Sequence, residues 1–314
     1  MIKVNNVSKT FRKSHFLKKS TTTTVLENIN FQIHKGEFVA ILGNNGCGKS
    51  TLAKCLCGVL KPTKGEVQIQ GKNIFSHRKL FTNKIGVVFN QKPSFLIDIS
   101  VEDNFDFFRS IYNINKEEFN KKIDFIDKHI GIKKLFRQQY RRLSFGQRVR
   151  CEIASVILHN PEYIFLDEPT IGLDGDTKKG LFDLLKYYNE TYNSTILIIT
   201  HDMNYLVEHC TRGIVMHEGR VICNSTIEEI AKATNQFEVI TLKYNKIYDK
   251  DKAKELFKKA NSHVKSENKL VLPISENDEQ KIMQDIVNTF EVLSLSKEME
   301  IDYKEVLNHA NTIN

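Results

Sequence analysis

The sequence predicts an α/β fold, a mostly parallel sheet covered by helices on both faces. Three observations carry that expectation. Short apolar runs recur at residues 37–42, 84–89, 162–166 and 195–200, and strands buried on both faces read this way. Helical stretches alternate with these runs, which is the pattern of strand–helix crossovers. Each run ends in polar or glycine-rich chain, at Gly43, Gln91, Asp167-Glu168 and His201-Asp202. Strands of one parallel sheet deliver such residues to a common edge, where ligands bind.

In chain order, residues 2–4 and 7–11 read as short extended segments. A basic stretch with a Ser-Thr run at 20–24 reads as an exposed loop, and 28–33 alternates as a half-buried strand should. His34-Lys35-Gly36 turns the chain into the first buried strand. Gly43-Asn44-Asn45-Gly46-Cys47-Gly48-Lys49-Ser50-Thr51 follows it and opens a helix that continues through 52–57. Lys61-Pro62-Thr63-Lys64-Gly65 is a turn, 66–70 alternates as a strand, and the apolar strand at 85–89 leaves through Asn90-Gln91-Lys92-Pro93. Ser100 is placed to cap a helix starting at Val101, and a charged helical pattern runs on to about Phe136. Another helix opens at Leu143-Ser144-Phe145-Gly146-Gln147 and ends near His159, before Asn160-Pro161. Strand 162–166, amphipathic helix 178–188 and strand 195–200 complete this part.

From residue 236 the composition shifts. Strands are expected at 237–242, 269–274 and 292–295, and helices at 252–260, 279–290 and 303–309. The helix at 279–290 places Ile282, Ile286, Val287 and Phe290 on one face. The organisation is therefore a first domain, residues 1–235, with a helical part at about 92–160. A small C-terminal α+β module, residues 236–314, follows and carries no catalytic cluster.

The chain has 314 residues, enough for about two domains of ~150 residues each. No run approaches ~18 apolar residues, and residues 1–7 lack the apolar stretch of a signal peptide. A cytoplasmic protein is expected. Six cysteines, at 47, 55, 57, 151, 210 and 223, show no CxxC or metal-ligand spacing and read as reduced thiols. Cys47, two residues from Lys49, is expected to have a lowered pKa. The net charge is +8. Basic residues cluster at Lys9, Arg12, Lys13, Lys18 and Lys19, and again between Arg137 and Arg150. They read as solvated surface; no RRM, KH or zinc-finger pattern is present, so nucleic acid is not an expected partner.

The chemistry concentrates at the strand ends. Glycines let the loop at 43–51 curl so that its N–H groups face phosphate oxygens, and the following helix adds its positive end. Lys49 then supplies a point charge to the β/γ phosphates and Ser50 a hydroxyl to Mg²⁺. Asp167, at the same edge, completes the Mg²⁺ shell. Glu168 is placed to polarise an attacking water, His201 to contact the γ-phosphate, and Gln91 to contact the metal or the water. The plainer readings are a glycine-rich turn, a capping Asp-Glu pair and a structural histidine; the phosphate loop weighs against all three.

With these motifs in this order the chain resembles the nucleotide-binding subunit of an ABC transporter. The matching elements are Walker A (43–51), the Q-loop (Gln91), the signature (143–147), Walker B (163–167 with Glu168), the D-loop Ile171-Gly172-Leu173-Asp174 and the H-loop (His201). They span most of residues 1–235. The resemblance implies a P-loop NTPase of the ABC ATPase type: a RecA-like parallel sheet core, an N-terminal antiparallel β subdomain and an α-helical subdomain. It implies ATP and Mg²⁺, and a head-to-tail homodimer or pseudo-dimer of ATPase subunits. In that dimer one chain's Gly43, Asn44, Asn45, Gly46, Cys47, Gly48, Lys49, Ser50 and Thr51 face the other chain's Ser144, Gly146 and Gln147 across ATP. An aromatic under the adenine is implied too; Phe11 is the match and Phe16 its rival. A separate membrane permease is implied as the partner, with the ATPase peripheral on the inner face of the membrane.

The chain departs from the family pattern at Phe145, where glycine is usual, and at Asn90, which looks like an extra residue before Gln91. Residues 85–92 and 169–174 resemble ATPases that partner ABC-2 type membrane subunits, mainly exporters. The expected function is therefore ATP hydrolysis that powers transport, with export as the direction. The alternatives are an import ATPase with the same engine, and a non-transport ABC protein acting on nucleic acid or ribosomes. The presence of one ATPase domain argues against the last.

Overall fold

A computed structural model describes residues 1–15, 18–89, 93–233, 235–260, 262–264, 268–274 and 278–302. The chain divides into two compact units, Met1–Ala231 and Lys232–Asn314.

The first unit opens with a long antiparallel hairpin, β1 (Ile2–His15) and β2 (Lys18–Ile33). The threonine run expected as a loop lies inside this hairpin, with Thr24 opposite Thr10 and Thr21 opposite Lys13. Polarity suggested a loop, but threonine is β-branched and suits an exposed strand. β3 (Phe38–Gly43) then leads into α1 (Lys49–Leu56). β4 (Lys64–Ile69) and β5 (Lys72–Asn73) join the hairpin in a four-stranded sheet of order β2-β1-β4-β5. A short α2 (Arg78–Phe81) precedes β6 (Ile85–Phe89).

Three helices follow before the chain returns to the sheet: α3 (Val101–Ile111), α4 (Lys116–Ile130) and α5 (Phe145–Ile157). Ser100 caps α3 as its sequence position predicts, accepting from the Asp103 amide at 3.0 Å. Phe95, Phe105 and Tyr140 pack here, with Phe95 stacked on Tyr140 at 4.8 Å and edge-on to Phe105 at 5.5 Å.

The second half of the unit runs β7 (Tyr163–Asp167), α6 (Gly175–Tyr192), β8 (Thr195–Ile199), α7 (Met203–His209), β9 (Arg212–His217), β10 (Arg220–Thr226) and α8 (Ile227–Lys232). α6 begins a turn earlier than its apolar periodicity suggests, because Asp174 caps it, accepting from the Thr177 amide at 2.8 Å. The six-stranded sheet has the order β10-β9-β3-β8-β7-β6. All of its neighbours pair in parallel except β10 with β9. Every residue of β3, β7 and β8 is buried, which is why these three read as unbroken apolar runs. β7 and β8 pair with Asp167 opposite Ile199, so their C-terminal ends are level.

The second unit runs β11 (Asn235–Ile247), α9 (Lys250–Lys259), β12 (Ser262–Val264), β13 (Lys269–Ile274), α10 (Glu279–Thr289) and β14 (Phe290–Asp302). Its antiparallel sheet has the order β12-β13-β11-β14, a βαββαβ arrangement of the split-βαβ kind. Ile240, Leu242 and Tyr244 of β11 form a core with Leu256 of α9 and with Ile282 and Ile286 of α10. Val287 does not share that face; it is 63% exposed, because one residue turns a helix by about 100° from its neighbour. The helix expected at 303–309 lies outside the described residues.

Candidate active site

The site is built where β3 enters α1. Gly48 has φ 106°, and a Cβ there would come within 2.9 Å of the Val25 carbonyl and of the Leu26 side chain, so the loop needs glycine at that point. No side chain caps α1, which leaves its first N–H groups facing the loop. Lys49 is buried and donates to the carbonyls of Gly43 at 2.5 Å and Asn44 at 3.1 Å. The loop thus wraps around its own cation.

Ser50 hydrogen-bonds the Asp167 carboxyl at the end of β7. Burial pushes that carboxyl above its ordinary range; the Ser50 bond opposes the shift, and the Glu168 charge adds to it. Glu168 has left-handed backbone, φ 53°, and its amide donates to the Ile199 carbonyl at 2.8 Å. That bond across the level strand ends brings the Glu168 carboxylate within 3.1 Å of His201 Nε2.

A cleft of about 200 Å³ gathers Asn45, Gly46, Gly48, Lys49, Ser50, Thr51, Asp167 and Glu168. Gly43, Asn44 and Cys47 stand behind it. A Cβ on Gly43 would meet the Met216 carbonyl at 2.4 Å, and the Cys47 carbonyl accepts from the Gly219 amide at 3.0 Å. The β9–β10 turn therefore braces the loop from behind. The expectation for Cys47 is corrected: its thiol pKa is raised, because burial outweighs the Lys49 charge.

Two contributors escaped the sequence reading. Val25 lines the cleft from β2, and nothing local in the sequence marks it. The brace at Gly219 carried a faint signal, the Glu218-Gly219 turn between two strands. Phe11 is 41% exposed on β1 with Lys9 Nζ 5.2 Å from its ring centroid, and it does not line the cleft. Gln91 and Phe16 lie outside the described residues.

The signature residues occupy the start of α5. Ser144 and Gln147 form a reciprocal capping box, with bonds of 3.3 and 2.9 Å. Gly146 is buried, and a Cβ there would come within 2.2 Å of the Gly172 carbonyl. The Phe145 ring packs over Gly172 instead. None of Ser144, Gly146 and Gln147 lines the cleft.

The oxygen donors fit magnesium. Ser50 and Asp167 are adjacent hard ligands, and Mg²⁺ commonly takes one or two protein oxygens with the rest from phosphates and water. Among the described residues, no group of three or more His, Cys, Asp or Glu forms a closed metal cage.

A family model described as ABC transporter matches residues 26–171. The energy-coupling factor transporter ATP-binding protein EcfA1 of Mycoplasmopsis pulmonis is 34% identical over 246 residues, covering 76% of this chain and 90% of that protein. The chain belongs to the ABC transporter ATP-binding family. An ABC ATPase cassette solved as a dimer in a post-hydrolysis state, bound to ADP and Pi, is 30% identical with a TM-score of 0.64, covering 72% of this chain and 99% of that one. The cbiO1 protein of Clostridium perfringens, described as part of the ABC transporter complex cbiONQ, is 33% identical with a TM-score of 0.60, covering 74% and 90%. Against a Bacillus cereus protein named as an ABC transporter ATP-binding protein the identity is 37% over 66% of this chain, but the chain spans only 36% of that relative's length. The fold is therefore that of an ABC ATPase domain, with a parallel-strand core and an antiparallel β sheet beside it.

Proposed function

We propose that this chain binds ATP in the 43–51 loop, closes the site with the signature of a second ATPase subunit, and hydrolyses ATP to drive a separate membrane subunit. The observation that carries the reading is the placement of Lys49, Ser50, Asp167 and Glu168 around one cleft, with His201 against Glu168. The Lys49 ammonium places a fixed charge at the β/γ phosphates. Ser50 and Asp167, with Gln91, hold Mg²⁺, which supplies charge neutralisation at the phosphates. Glu168 orients and deprotonates the attacking water, and His201 holds the Glu168 carboxylate while reaching toward the γ-phosphate. Phe11 stacks on the adenine. Ser144, Gly146 and Gln147 act on the ATP of the partner subunit, where the N-terminus of a helix attracts phosphate.

The absence of signature residues from the chain's own cleft supports a shared site. On this reading the protein acts in the cytoplasm, peripheral on the membrane through its permease. Export through an ABC-2 type partner is the direction read from residues 85–92 and 169–174. EcfA1 and cbiO1 carry other transporter names, and they favour a membrane partner of the energy-coupling factor type. Co-purification with each class of membrane subunit distinguishes the two. The ATP reading is tested by Lys49→Ala: loss of ATP affinity supports it, and unchanged affinity overturns it.

A further inference from the structure

We propose that Glu152 is a positioning residue for the ATPase cycle, fastening the segment that follows Gln91 to the signature helix so that the two move as one body. Glu152 lies two turns into α5 and is 8% exposed. Among the described residues no cation pairs with it within 4 Å. Its carboxylate instead accepts from the Ser94 amide at 2.9 and 3.1 Å, from the Ser94 hydroxyl, and from the Tyr140 hydroxyl at 2.8 Å. A buried carboxylate without a counter-charge is unfavourable unless its oxygens are satisfied. An apolar residue at this helix position would leave the buried Tyr140 hydroxyl and the Ser94 amide without their acceptor, so the acid is bound up with what it joins.

What Glu152 joins suggests its use. Ser94 stands three residues beyond Gln91 in the chain. The neighbouring Phe95 stacks on Tyr140, and the buried Asn104 side chain bonds both the amide and the carbonyl of Leu96, at 2.7 and 3.0 Å. Residues 94–96 are thus fixed to the helical part of the unit. Tyr140 begins the turn into the signature, where the Leu143 amide donates to its carbonyl at 3.2 Å. Arg148 of α5 sits 5.6 Å from the Tyr140 ring centroid and donates to the carbonyls of Leu143 and Arg141. Displacement of residues 94–96 would therefore pass through Ser94 and Glu152 to the helix that presents Ser144 and Gln147. Rigid transmission of this kind matters because small misplacements of a reacting constellation lower rates steeply.

The inference rests on the ATPase reading above. The test compares Glu152→Gln, Ser94→Ala and their double variant in the full chain, measuring ATP affinity, kcat and melting temperature. Ser94 is exposed, so Ser94→Ala keeps the test sound if Glu152→Gln folds poorly. The expected result is a kcat lowered by about tenfold in each variant, ATP affinity within about twofold of wild type, and a double variant no slower than the worse single one. Wild-type kcat in both singles, or effects that multiply in the double, overturns the proposal. So does a loss of ATP affinity that simply follows the melting temperature. A wild-type chain that binds no ATP defeats the ATPase reading itself, whereas a wild type that turns over beside equally fast variants defeats this inference alone.

Discussion

Glu168 sits in left-handed backbone next to His201, a conformation that a non-glycine residue adopts at a cost of about 1–3 kcal/mol and that recurs at active sites. The neighbouring strand holds it there through the Ile199 carbonyl. Glu168→Gln keeps the backbone and removes the base, so hydrolysis is expected to fall by about 10²–10⁴-fold with ATP binding retained; steady-state and binding assays check both. A second residue-scale prediction concerns His159. Burial lowers its pKa from 6.5 to about 4, and its ring stacks on Tyr112 at 4.0 Å. Between those values the unfolded chain holds a proton that the folded chain does not. Stability therefore falls as pH drops from 6.5 towards 4, by up to about 3 kcal/mol. Denaturation midpoints across that window should show the slope, and His159→Phe should flatten it. At this scale the sequence is legible where chemistry dictates residue type and spacing, as in the phosphate loop and Asp167-Glu168. Cys47 shows the limit: the Lys49 charge is visible in the sequence, but the burial that outweighs it involves the β9–β10 turn, distant in the chain.

At the scale of elements, the start of α5 does two jobs. The Ser144 hydroxyl accepts from the Gln147 amide, and Gly146 lets the Gly172 backbone approach. Ser144→Ala should cost about 1 kcal/mol of stability through the lost cap, read by chemical denaturation. The second unit offers a cleaner contrast. Ile286 is fully buried while Val287 is 63% exposed, so Ile286→Ala should cost about 2–5 kcal/mol and Val287→Ala within about 0.5 kcal/mol of nothing. Element type is readable where a strand carries a continuous apolar run, as at Tyr163–Leu166 of β7 and Ile196–Ile199 of β8. It fails at residues 20–24, where polar threonines signal loop by composition and strand by shape. The start of α6 was missed for a related reason, since Asp174 caps it without an apolar residue to announce the turn.

For the whole molecule the central point is incompleteness. One cleft holds the phosphate loop and the Walker B carboxylates, and the signature lies on a different element that contributes nothing to that cleft. The motif order was legible in the sequence, because each apolar strand is followed at once by its polar terminus. The brace of β9–β10 behind the loop was not, because it depends on which strands become neighbours. Sedimentation of Glu168→Gln with and without MgATP, beside Glu168→Gln/Ser144→Arg, tests the shared site most directly. An ATP-dependent dimer is expected for the first and a monomer that still binds ATP for the second. A Glu168→Gln chain that stays monomeric at saturating ATP, or a Ser144→Arg partner that dimerises as well, would contradict it.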